Sequence, residues 1–181
     1  MQKENKYPTI NFIGNKKKIT NWIIENLPIN TGKVLDMFSG GCSVSYELKK
    51  RGFEVHTNDV LYSNYVLAKA FIENSSEVFN IDLNNISHVK SSDDNHDFNL
   101  DFLRNNLFYD KEVDELELLL EYSKNLVGYK KFIYFSLLRR AMIRKLPYSR
   151  MNVPWSSIIK LRDEEYSYSK YGRRRAYHNL S

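Results

Sequence analysis

The order of apolar and polar positions along this chain predicts an α/β beginning and a helical remainder. Ile19, Trp22, Ile23 and Leu27 recur at helical spacing, and Pro28 closes that run. The apolar pair Val34-Leu35 reads as a short strand that ends in Asp36. A small-residue turn follows, Phe38-Ser39-Gly40-Gly41-Cys42, and then a helix from Ser43 to Arg51 with Gly52 as its stop. A second apolar segment, Phe53 to Thr57, runs into Asn58-Asp59. Strand, glycine turn, helix and strand make one βαβ unit. Leu61 to Glu73 reads as a further helix with Leu61, Tyr65, Ala68 and Phe71 or Ile72 on one face. From Ser75 to Asn106 the chain is polar and patternless, and Ser91-Ser92-Asp93-Asp94-Asn95 reads as a mobile loop. Helical spacing returns over Glu112 to Asn125, ended by Gly128. It returns again over Lys130 to Lys145, whose apolar face holds Ile133, Leu137, Met142 and Leu146, with Pro147 as the stop. Tyr148 to Ser181 is rich in tyrosine and arginine without a clear period, and no internal repeat is visible.

This pattern divides the chain into a βαβ-containing part, 1–74, and a mostly helical part, 75–181. The 181 residues suffice for one domain with a core, or one domain with a small appendage. Hydrophobic residues at 42% and charged residues at 27% are ordinary for a soluble globular chain. No apolar run approaches the roughly 20 residues of a spanning helix, so no membrane partner is expected. The start, Met1-Gln2-Lys3-Glu4-Asn5, lacks the apolar core of a signal peptide, which makes the cytoplasm the expected location. Cys42 is the single cysteine, so an internal disulfide is excluded and a reducing compartment fits. His56, His88, His96 and His178 are scattered without metal-ligand spacing, so no metal is expected. His56 falls in a buried-strand pattern and is expected to be structural. The net charge of +5 is unevenly placed. Glu73 to Glu121 carry 13 acids and 3 bases, whereas Arg139 to Ser181 carry 11 bases and 3 acids. The basic end suits a polyanion partner; solvated helix faces are the plainer reading of charge alone.

The chemistry concentrates where the strands end. A glycine turn between strand and helix leaves backbone N–H groups open to a ligand. Its spacing, Phe38-x-Gly40-x-Cys42, is not the GxGxxG of a dinucleotide cradle. Asp59 stands at the end of the second strand, 19 residues after Gly40, where an acid can accept the ribose hydroxyls of an adenosine. Asp36, at the end of the first strand, can meet an ammonium, which a dehydrogenase does not need and a ligand with an amino-acid end does. Upstream, Asn11-Phe12-Ile13-Gly14-Asn15-Lys16 sets an aromatic, a glycine turn and a lysine before a helix. That set can cover a nucleoside and grip a carboxylate.

Taken in order, these pieces resemble the amino-terminal half of the DNA adenine methyltransferases of the deoxyadenosine-methylase type. Phe12-Ile13-Gly14-Asn15-Lys16 is similar to the family's aromatic-x-Gly-x-Lys segment. Asp36-Met37-Phe38-Ser39-Gly40-Gly41-Cys42 is similar to its Phe-x-Gly-x-Gly motif, and Asp59 to the acid after its second strand. Phe132-Ile133-Tyr134-Phe135, Arg144 and Asn152-Val153-Pro154-Trp155 resemble its DNA-recognition region. The likeness covers most of the chain and is strongest over 9–72. It implies an incomplete Rossmann-like S-adenosylmethionine-dependent methyltransferase sheet carrying a helical DNA-recognition insertion. It also implies S-adenosylmethionine as cofactor, double-stranded DNA as partner and methyl transfer to adenine N6, as in restriction-modification. Asp59 would take the ribose. Asp36, Phe38, Ser39 and Gly40 would surround the methionine part, with Lys16 at its carboxylate and Phe12 near the adenine or sulfonium. Arg144, Asn152, Arg173, Arg174 and Arg175 would face DNA, with neighbouring tyrosines able to stack or wedge beside bases.

The chain departs from that family in three places. Cys42 replaces the last glycine of the motif, a change expected to tighten the turn. Ser156 stands where glycine often follows the aromatic. The catalytic Asp-Pro-Pro-Tyr is missing, because Pro8, Pro28, Pro147 and Pro154 are the only prolines and no two are adjacent. The resemblance therefore leads to the expectation of a truncated product or one half of a split enzyme, inactive alone, with a second chain carrying the catalytic half. A non-enzymatic DNA-binding or regulatory module that keeps only the fold is the alternative. Methylation of RNA or a small molecule is a third reading, disfavoured by the segment 130–155.

Overall fold

The computed structural model describes residues 15–80 and 98–172. They fall into two compact units. One comprises Met1–Phe79 with Gly128–Ser136, the other Asn80–Val127 with Leu137–Ser181.

In the first unit a 3-10 turn, Lys17–Ile19, runs into α1 (Thr20–Glu25), and then come β1 (Lys33–Asp36), α2 (Ser43–Lys50) and β2 (Glu54–Thr57). α3 (Tyr62–Ala68) continues into a π-helical turn, Lys69–Glu73. β1 and β2 are parallel, in register from Lys33 opposite Glu54 to Asp36 opposite Thr57. Val34, Asp36, Val55 and Thr57 are half-buried, while Lys33, Leu35, Glu54 and His56 are exposed. Ile24, Leu48 and Phe53 form a core against which Leu27, Val34, Val44 and Val55 pack. A second cluster joins Cys42 at the glycine turn to Leu67, Ala68 and Ile72.

Two expectations need correction here. His56 is not buried: its side chain is 60% exposed and bonds Glu54 on the open face of the strand pair. The alternation that buries Val55 turns His56 outward. The buried face of α3 is Asn64, Val66, Leu67 and Ala68, not Leu61 and Tyr65, which are exposed. The change to π winding at Lys69 shifts the register, so 3.6-residue counting across Leu61 to Glu73 joins the buried Ala68 and Ile72 to the exposed Leu61 and Tyr65. The carbonyls released where this turn ends are met by Lys49, whose ammonium donates to Ile72 and Asn74 at 2.6 Å each. Burial lowers that lysine's pKa.

The second unit contains a 3-10 turn, Asp101–Leu103, then α4 (Asp110–Ser123), the later turns of α5 (Gly128–Lys145), α6 (Trp155–Arg162) and α7 (Glu164–Tyr171). Leu103, Phe108, Val113, Leu116, Leu146 and Ile158 form its core. Leu103 thus corrects the reading of 75–106 as patternless, and Phe108 just beyond it joins the same core. They anchor a tight turn whose apolar residues are too few to show a period. The expected loop at 91–95 lies outside the described residues. Gly128, with φ +59°, opens α5 rather than closing α4. Tyr134 and Ser136 are buried there, whereas Leu137 is 41% exposed. Of the expected face, Leu146 is buried in the core and Met142 packs against it, but Leu137 turns outward, because one helix shared by two units does not keep a single buried stripe. α6 and α7 were not legible. Asp163 caps α7 by accepting the Tyr166 N–H at 2.7 Å, and Val153 and Trp155 pack against the core.

Glu112 ties this unit together. Arg162 donates to both of its carboxylate oxygens, at 2.8 and 2.5 Å, and Lys145 lies 3.3 Å away. Its Oε2 also accepts the Tyr109 N–H at the start of α4, and the Arg162 guanidinium lies 4.6 Å from the centre of the Tyr109 ring. Burial pushes the Glu112 carboxyl up, but these donors and the two cations outweigh it and hold the pKa below the usual carboxylate value. Part of the acidic stretch is likewise internally paired, since Arg104 bonds Asp101, Asp114 and Glu117.

Candidate ligand site at the strand ends

The pairing of β1 and β2 continues past the strands through Asn58. Its N–H donates to the Asp36 carbonyl at 2.9 Å, its side-chain amide to the Met37 carbonyl at 3.0 Å, and its carbonyl accepts the Ser39 N–H at 3.0 Å. The glycine turn thus leaves the sheet from a fixed point. The Cys42 N–H closes it on the Ser39 carbonyl at 2.7 Å. Gly40 sits at φ +50° and Cys42 at φ +56°. For a side-chain-bearing residue that left-handed conformation costs about 1–2 kcal/mol. Cys42 is fully buried against Leu67, Ala68 and Ile72, so core packing offsets the strain.

A hollow of about 320 Å³, counting its open mouth, lies against this turn, and its walls include Lys16, Asp36, Phe38, Ser39, Gly40 and Ser43. Five of the residues singled out from the sequence are therefore gathered in one place. Ser39 and Gly40 are buried, Lys16 is exposed, and Phe38 is 79% exposed. Asp36 is held by Ser45, a fully buried residue of α2, whose hydroxyl donates to its Oδ2 at 2.6 Å. Ser43, the first residue of α2, brings the positive end of the helix dipole to the same wall. A carboxylate, an ammonium cation and a helix N-terminus side by side form a complement for a zwitterion.

Asp59 does not line this hollow; it grips the turn instead. Its Oδ2 accepts the Gly40 N–H at 2.8 Å, and its Oδ1 accepts the Leu61 N–H at 2.9 Å and the Asn64 amide at 3.0 Å. Burial raises its pKa, but the three donors, led by Leu61, outweigh that and hold the carboxyl below its usual range. Three of about four acceptor positions on the carboxylate are occupied, which leaves room for about one more donor. Ser45, Asn58 and Asn64 were missed from sequence. Only Asn58, paired with Asp59 at a strand end, carried a local signal.

Phe12, Arg173, Arg174 and Arg175 lie outside the described residues. Arg144 is exposed in the last turn of α5, and Asn152 is exposed before α6. Among the described residues no helix is long and apolar enough to cross a membrane, and no group of three or more His, Cys, Asp or Glu could hold a metal ion.

Against known families, residues 12–181 match the D12 class N6 adenine-specific DNA methyltransferases. The chain belongs to this D12 class. This D12 chain is also 47% identical over 177 residues to Type II methyltransferase M2.HphI of Haemophilus parahaemolyticus. That match covers 97% of the D12 chain and 52% of the relative, so the chain spans about half the relative's length. No solved structure matches it.

Proposed function

We propose that this chain is the S-adenosylmethionine-binding and DNA-contacting part of an adenine-N6 DNA methyltransferase. The observation that carries the proposal is the convergence of Lys16, Asp36 and the α2 N-terminus on one hollow, with Asp59 at the neighbouring strand end bonded to the turn that forms its wall. The residues present fit the ligand. Asp36 suits its ammonium, Lys16 and the helix N-terminus suit its carboxylate, and the spare acceptor position of Asp59 suits one ribose hydroxyl. On this reading β1, α2 and β2 open a Rossmann-like sheet, and Phe12 covers the adenine or sulfonium.

When bound, S-adenosylmethionine supplies an activated methyl group. The chain's own work is positioning: Asp36 and Lys16 fix one end of the ligand and Asp59 the other, so the entropy of alignment is met on binding. Arg144 and Asn152, with Arg173, Arg174 and Arg175, would grip DNA phosphates and hold the duplex while the target adenine leaves the stack. The 181 residues contain no Asp-Pro-Pro-Tyr, so the element that holds the flipped base would come from polypeptide beyond them, continuous or separate. The cytoplasm is the proposed location.

Calorimetric titration with S-adenosylmethionine tests the reading. Saturable binding that weakens at least tenfold in Asp59→Ala and in Asp36→Ala is expected. Salt-sensitive DNA binding without any affinity for the nucleoside would instead indicate a binding module that keeps only the fold.

A further inference from the structure

Asn64 is a polar residue in an apolar setting. It lies on α3 beside Val66, Leu67 and Ala68, and it is fully buried. Its Nδ2 donates to Asp59 Oδ1 at 3.0 Å, while among the described residues its own Oδ1 has no partner. A buried carbonyl oxygen left unbonded is costly, and rotating the amide does not relieve it. Rotation would set the oxygen against the Asp59 carboxylate and lose the one bond that exists. An apolar side chain would pack at this position without either burden, so the amide calls for an explanation in terms of what it holds.

What it holds is one oxygen of Asp59. With the Leu61 N–H, the Asn64 amide fills both acceptor positions on Oδ1. Oδ2 takes the Gly40 N–H alone and keeps a position open. We propose that Asn64 is a positioning residue: its buried amide locks the Asp59 carboxylate so that Oδ2, beside the glycine turn, is the oxygen offered to the ligand. The proposal rests on the reading of Asp59 as the ribose acceptor, and it assigns the division of labour between the two oxygens to a residue that does not itself touch the ligand.

Asn64→Leu and Asn64→Ala in the 181-residue chain test it with three readouts. The Asp59 carboxyl, followed by carbon NMR through a pH titration, is expected to titrate at higher pH in both variants, because one of its three donors is gone. S-adenosylmethionine binding is expected to weaken roughly tenfold, the effect of losing the charge-assisted hydrogen bond that a carboxylate no longer held in place would make to the ligand. The Leu variant is expected to melt no lower than the parent, since the unbonded oxygen leaves with the amide. Stability kept while affinity falls separates positioning from a merely structural role. An unmoved Asp59 titration in the folded variants overturns the proposal, as does loss of the fold in both. If the parent chain binds no S-adenosylmethionine while the Asp59 titration still moves, the ligand reading fails and the positioning of the carboxylate stands.

Discussion

Arg162→Ala puts the packing of the helical unit to a quantitative test. Arg162 and Glu112 are both largely buried, with side chains 9% and 16% exposed, and two hydrogen bonds join them. Removing one member of a fully buried pair costs about 3–5 kcal/mol, because the other is left as an uncompensated charge. Here Lys145 remains 3.3 Å from Glu112 and the site keeps some solvent, which reduces the loss. The guanidinium over Tyr109 returns about 0.5–1 kcal/mol to it. A destabilisation of about 2–3 kcal/mol is therefore expected. The partner then decides the cause. Once Arg162 is gone, removing Glu112 as well takes away the stranded charge, so the double variant should lie within about 1 kcal/mol of the single one, that remainder being the lost cap at Tyr109. Urea unfolding can read this locally, because Trp22 and Trp155 are the only tryptophans and one lies in each unit. In a Trp22→Phe background, fluorescence reports the unit that holds Trp155. The pH dependence has a definite sign. A carboxyl with a lowered folded pKa contributes stability that is present above its unfolded value, near 4.5, and lost as pH falls through the folded value. The parent should thus lose stability below about that pH more steeply than Arg162→Ala. A single-variant loss under 0.5 kcal/mol, or a double variant that falls by the sum of the two singles, refutes the reasoning.

Other expected outcomes are simpler. Cys42→Ala should cost about 1–2 kcal/mol by emptying a packed site, and Cys42→Gly should cost no more than Cys42→Ala, because relief of the left-handed backbone offsets the further truncation; chemical denaturation of the pair checks this. Lys49→Met should lower stability by about 1–2 kcal/mol, since carbonyls of Ile72 and Asn74 lose their donor; the transition read at Trp22 reports it. If Arg144 grips a DNA phosphate, Arg144→Ala should flatten the plot of log affinity against log salt by about one unit of slope, and an unchanged slope removes it from the interface.

What could be read in the sequence was whatever has a local signature. β1, α2 and β2 were legible because a strand, a glycine turn and a helix stop sit next to one another in the chain. Asp36, Phe38, Ser39 and Gly40 were legible as neighbours because the turn holds them together, whereas Lys16 reaches the same hollow from ahead of α1. The misread elements share a different cause. α3 changes its winding at Lys69, α5 divides its contacts between two units, and α6 and α7 are eight residues each, too short to establish a period. His56 was misjudged because a two-stranded pair buries one face only. The internal bonds of Asp59 were invisible for a plainer reason: an acid at a strand end looks the same whether it faces a ligand or holds its own loop. Only the positions of Gly40, Leu61 and Asn64 around it reveal the bonds that hold the loop.

The sealed position of Cys42 makes the turn self-reporting. It is the sole thiol of the chain and has no exposed surface, so an alkylating reagent can reach it only when the loop lifts away from α3. The rate of that modification is a clock for how often the site comes apart, and a molecule that settles beside Gly40 should slow it. Candidate ligands can thus be ranked by thiol protection, with no label introduced and no turnover required.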